Sequence, residues 1–227
     1  MKQQRRVGIV PQSTRTMHRF QLRSFLSARP LVLALSVLAV TTASACGNPF
    51  ALKPNIDTIT DTLSVYGLTD APPNGPTAIN TFGPSIVSTS VTSHYDIVFD
   101  IRPDSAGNPQ AYALPPRAVA TFGSAGFVVD STQAFDAIQF APNVPYNDST
   151  IVPLKPGTIV IVQALSSACT VQVVAAEQFI YSKIIIDSVN YSPFDPFTNP
   201  DGNTIHFRIT VDPNCGFRSF KPGLPTF

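Results

Sequence analysis

The residues most able to do chemistry are the cysteines and histidines. The chain has three cysteines, Cys46, Cys169 and Cys215. An odd number in an exported chain leaves one thiol to account for. A bond between Cys169 and Cys215, with Cys46 modified, accounts for all three, and an oxidising compartment permits such a bond. Two unpaired buried thiols are the competing reading. Past the first 45 residues there are two histidines, His94 and His206. Both have the parity of the polar side of a strand. A metal site needs about four ligands, and no Cys, His or acid cluster at ligand spacing surrounds either. The plain reading is a pair of solvent-facing histidines.

Other candidates are weaker. Ser124 lies in Phe-Gly-Ser-Ala-Gly (122–126). A nucleophile elbow needs glycine two residues before the serine, and Phe122 stands there, so a tight turn is expected. The loop 192–203 (SPFDPFTNPDGN) offers Asp195, Asn199, Asp201 and Asn203 as oxygen ligands, but not at the spacing of a calcium loop. A hairpin loop is the simpler expectation, with Phe194 and Phe197 as packing residues or an exposed contact patch. Glu177 and the scattered aspartates form no pair that spacing alone could place together for hydrolysis. No glycine-rich phosphate loop and no tryptophan is present.

The elements begin with a leader. Residues 1–45 carry seven bases and no acid, then the apolar run Leu31–Val40, then Thr-Thr-Ala-Ser-Ala. Basic, apolar and small-residue regions in that order are the layout of a secretory signal. A run of ten residues is too short for a bilayer-spanning helix, which needs about 20. Met17 offers a second start with a shorter basic region. Ala43-Ser44-Ala45-Cys46 resembles the bacterial lipobox, in which a small residue precedes a cysteine that is diacylated and becomes the new N-terminus. The lipobox usually has Leu where Ala43 stands. Ala43 and Ala45 also fit ordinary cleavage, which would release a soluble chain with a free Cys46. Gly47 stands where Asp would resemble an inner-membrane retention signal, so the outer membrane is favoured.

Without the leader the chain keeps eight bases and fourteen acids, a net charge of −6, against +1 for the whole. An acidic domain lacks the electrostatic footprint for nucleic acid. Thirteen of those acids are Asp, and 20 of the 22 prolines remain. Asp favours turns and caps, and proline interrupts helices and inner strands. Both point to short strands joined by turns. Residues 46–56 read as a lipidated tether and 57–227 as one β-rich domain.

Within that domain strands are expected at Asp57–Leu68, Tyr95–Arg102, Gly126–Asp130, Thr158–Leu165, Phe179–Val189 and Thr204–Asp212. A weaker one is expected within Ile79–Thr92, and a further short one at Ala111–Thr121. Tyr95, Ile97, Phe99 and Ile101 are expected on one face, with Asp96, Asp100 and Arg102 opposite. In Thr204–Asp212 the residues Ile205, Phe207, Ile209 and Val211 point inward, and this strand should pair with Phe179–Val189 through the loop 190–203. Ser131–Phe140 reads as a short helix capped by Ser131. The predicted fold is all-β, an antiparallel sandwich or open barrel with at most one short helix.

Three segments resemble the HmuY-like haem-binding lipoproteins: YDIVFDIR (95–102), the acidic turn region 130–148, and YSKIIIDSV (181–189) with TIHFRITV (204–211). Tyr95 replaces a tryptophan of that family, and the C-terminal NCGFRSFKPGLP is unlike it. The resemblance implies haem capture. The family's ligating histidines have no aligned counterpart, which leaves His94 and His206 as the one pair available. The features of the whole chain also resemble small uncharacterised bacterial lipoproteins. Three readings follow. One is a non-enzymatic envelope lipoprotein, membrane-bound through its lipid, that binds a protein or small-molecule ligand or has a structural role. The others are a haem- or ligand-capture lipoprotein, and a hydrolase with no visible motif.

Overall fold

In a computed structural model the described residues are 54–119, 123, 125–166, 169 and 179–224. They fall within one compact unit, Leu52–Phe227, and a second unit, Met1–Ala51, lies outside the described residues. The domain is built from two five-stranded antiparallel sheets. In the first, β1 (Ile59–Tyr66), β10 (Thr204–Asp212), β9 (Phe179–Asn190), β8 (Ile159–Leu165) and β6 (Gly126–Asp130) lie side by side in that order. In the second the order is β3 (Ser85–Val87), β2 (Ala78–Asn80), β4 (Ile97–Pro103), β5 (Pro109–Leu114) and β7 (Val152–Leu154). The expected all-β sandwich is what forms.

Alternation explains the core. Ile205, Phe207, Ile209 and Val211 of β10 are fully buried and join Ile97, Phe99 and Ile101 of β4 in one cluster between the sheets. The Phe99 and Phe207 rings stack with centroids 5.0 Å apart, tying the two sheets at their centre. β9 and β10 pair as expected, with a bulge opposite His206 and Phe207. Ser188 faces His206 and Ile186 faces Phe207, so Asp187 is the inserted residue. The insertion lets Ile186 and Val189, an odd number of positions apart, both meet the core.

Several expectations need correction. Tyr95 precedes β4 and packs with Ala78, Val98 and Leu114 in a separate cluster, on the opposite side from Ile97 and Phe99. The cause is burial of both faces of β4, where Ile97–Ile101 are buried without a break. Asp100, expected on a polar face, is buried too, and its Oδ1 accepts hydrogen bonds from the amide and hydroxyl of Thr69, each at 2.8 Å. The region Ala111–Thr121 yields β5, which starts at Pro109 and stops at Leu114, because Pro115-Pro116 opens a single helical turn, α1 (Pro116–Val119). β7 is a strand that periodicity missed. Its Pro153 is tolerated because β7 is an edge strand, paired with β5 alone.

The helix expected at Ser131–Phe140 is reduced to one 3-10 turn, Phe135–Ala137, with no side-chain cap. Two competitors prevent it. Asp130 Oδ1 takes the Thr132 amide and hydroxyl into a local turn, at 2.8 and 2.7 Å. The carbonyls of Phe135 and Ile138 are claimed by the Lys183 ammonium at 2.7 and 2.9 Å.

Candidate functional site

The Cys169–Cys215 disulfide forms as expected, with Cα atoms 5.5 Å apart. It fastens the segment after β8 to the segment after β10, and both cysteines are buried. Beside it, Asn214 grips the incoming chain. Its Oδ1 accepts the amides of Asn55 (2.9 Å) and Ile56 (3.1 Å), and its Nδ2 donates to the Ile56 carbonyl (2.7 Å). Asp212 Oδ1 accepts from the Asn214 amide and Nδ2, which orients this clasp. Burial pushes the Asp212 carboxyl above the ordinary carboxylate range, against the lowering effect of bonds from Asn214 and Ser219. Cys46, the candidate lipidation site, lies outside the described residues, as do Ser124 and Glu177.

The two histidines fall on different elements. His94 is exposed on the loop into β4, and its amide donates to Thr92 Oγ1 (3.1 Å). His206 is half-buried on β10, with Nε2 3.3 Å from Thr204 Oγ1. Its parity is outward, opposite to Phe207, so the backbone of the first sheet separates its ring from the sheet that His94 leads into. The structure does not bring them together. Among the described residues no group of three or more His, Cys, Asp or Glu is placed to hold a metal ion.

On the outer face of the first sheet, Phe135, Ile138, Ala141, Ile159, Ile161, Tyr181 and Phe220 form a second apolar cluster. Two segments cover it. The strap following β6 and the C-terminal tail are joined by an antiparallel bridge between Phe140 and Ser219. Lys183 of β9 pins the strap from below, buried under the Phe135 ring (4.4 Å) and beside that of Phe220 (5.6 Å). Burial lowers its affinity for the proton, and Asp136 opposes that effect. The Tyr181 hydroxyl accepts from Gln163 Nε2 (2.9 Å) and Arg218 Nη2 (3.2 Å). Neither Lys183 nor this Tyr181 group was legible as a site, because their partners come from distant segments.

The loop 190–203 uses its polar atoms on itself. Asp195 Oδ1 accepts the amides of Phe197 and Thr198, each at 2.8 Å, and those bonds hold its carboxyl below the usual range. Asp195 and Asn199 exchange both backbone bonds, at 3.1 and 2.9 Å. Asn199 Nδ2 donates to the Pro193 carbonyl (2.7 Å), and Asn203 takes a left-handed φ of 56°. A Cβ on Gly202 would run into that same carbonyl and Asn199 Nδ2, so glycine is required. Phe194 packs edge-on against Tyr66 (5.8 Å), and the Tyr66 hydroxyl donates to the Pro200 carbonyl (3.0 Å). Phe197, at the tip, is 93% exposed.

Among the described residues no helix is long and apolar enough to cross a membrane. No family model, curated protein or solved structure matches this chain.

Proposed function

We propose that this chain is an exported envelope lipoprotein, anchored through a lipid on Cys46, whose β-sandwich serves a binding role without catalysis. The observation that carries the reading is the buried Cys169–Cys215 bond. A structural disulfide fits an oxidising compartment, and Cys46 is the one cysteine of the three outside that bond. That residue follows a basic region, an apolar run and small residues, where a leader is cleaved. The outer membrane is the proposed destination, given Gly47 after the cysteine.

The reading is tested by fractionating cells that produce the wild-type chain or Cys46→Ser. Wild type is expected to sediment with the envelope and to dissolve only with detergent. Cys46→Ser is expected to leave that fraction. An envelope association that survives Cys46→Ser unchanged contradicts lipid anchoring.

A further inference from the structure

Deepening that binding role, and resting on it, we infer that the turn bearing Phe197 is the docking tip for a partner protein that offers an apolar pocket rimmed by basic side chains. Phe197 is 93% exposed, more than any other exposed large apolar residue among the described residues. A lone exposed apolar residue on a floppy loop carries little meaning. This one sits on a turn fixed in advance. The Asp195 carboxylate holds the amide of Phe197 itself, the Asp195–Asn199 backbone pair closes the turn, and Pro196 stiffens it. An aromatic on a backbone already fixed loses only its own rotamer freedom when it enters a pocket, which suits an interface anchor.

Position and charge define the partner. The chain enters the sandwich at the Ile59 end of β1, where Asn214 holds Asn55 and Ile56. The Phe197 loop packs on Tyr66, at the other end of the same eight-residue strand. At about 3.4 Å per residue the two ends lie about 24 Å apart. The tip therefore lies at the opposite end of β1 from the point where Asn214 holds the entering chain. The tip loop 190–203 carries Asp195 and Asp201, and the neighbouring turn 67–76 carries Asp70. Neither segment contains Lys or Arg. The two segments are joined by the hydrogen bond from the Gly67 amide to the Asn203 carbonyl (2.8 Å). Arg102 lies close by but is paired with Asp100 (3.9 Å), the acid bonded to Thr69 of that turn, so the tip stays net acidic, which disfavours an anionic lipid surface or nucleic acid and favours a protein with a basic rim.

The test places a photo-crosslinking phenylalanine analogue at position 197 of the full chain in its native host, with position 91 as a control. Val91 is also apolar and 72% exposed. A discrete protein crosslinked from 197 and not from 91 is expected. That protein, once purified, should bind Phe197→Ser about thirtyfold more weakly than wild type. Phe197→Ser should melt at the wild-type temperature, because its ring packs against nothing. The binding should weaken with salt, and less steeply in Asp70→Asn/Asp201→Asn. Four outcomes overturn the inference: equal crosslinking from 197 and 91, a crosslink to a second copy of this chain, unchanged binding by Phe197→Ser, or capture of Cys46→Ser, but not of Cys46→Ser/Phe197→Ser, by phosphatidylcholine or phosphatidylglycerol vesicles. If envelope fractionation holds while crosslinking fails, the docking inference falls and the anchoring reading stands.

Discussion

Lys183 shows how one side chain organises a region. Its ammonium supplies hydrogen bonds to two carbonyls that a helix would otherwise have used, and the strap lies flat over β9. Lys183→Ala would remove the ammonium from both carbonyls, leaving that of Phe135 only the 3.4 Å bond from the Ile138 amide. We expect a loss of about 2–4 kcal/mol in urea denaturation, with amide exchange accelerating first in residues 134–141. Asp212 makes a pH prediction. Its folded-state affinity for the proton is raised. Between the unfolded carboxyl value, about 3.9, and the higher folded value, the native state holds a proton that the unfolded state has lost. This contribution is present at acid pH and is lost as pH rises through the folded value. The stability of wild type relative to Asp212→Asn should therefore increase as pH is lowered from about 7 towards about 4. A pH-independent difference between the two would contradict the assignment.

At the scale of elements, legibility followed how local the cause is. β10 was readable because its alternation is set by its own residues, and its four inward side chains are the four expected. The strap was not readable, because the residue that defeats its helix lies some 45 positions away in β9. Tyr95 was misassigned because burial of the outer face of β4 depends on Ala78 and Leu114 from other strands. β7 was hidden by Pro153, and only its place at a sheet edge makes that proline harmless. The exposure of Phe197 was equally invisible, since nothing in the loop's composition separates it from the packed Phe194. The β9 bulge yields a prediction at this scale. Deleting Asp187 would restore simple pairing and leave Val189 facing the core, now two positions from Ile186. It would also remove the partner of Arg208, at 3.1 Å. The expected cost is below about 1 kcal/mol, that of a partly exposed ion pair, read as a nearly unchanged urea midpoint; a large drop would contradict the bulge assignment.

For the whole molecule, the disulfide and the Asn214 clasp act at one end, where the chain enters the sandwich. The Cys169–Cys215 link spans 46 positions, which on the loop-entropy model stabilises the fold by about 4 kcal/mol. Cys169→Ser/Cys215→Ser should unfold at a correspondingly lower denaturant concentration, and reductant should shift wild type towards the double variant. Of the candidate site residues proposed from sequence, the disulfide was legible through simple cysteine counting. The relative placement of His94 and His206 was not legible, because parity on one strand says nothing about which element the other residue joins.

The most direct test of the central claim is the intact mass of the N-terminal peptide of the mature chain, isolated from envelopes of cells that produce it. The account predicts a peptide that starts at Cys46 and carries the added mass of a diacylglyceryl group. A peptide starting at Cys46 with an unmodified thiol, or one that still contains the residues before it, would contradict it.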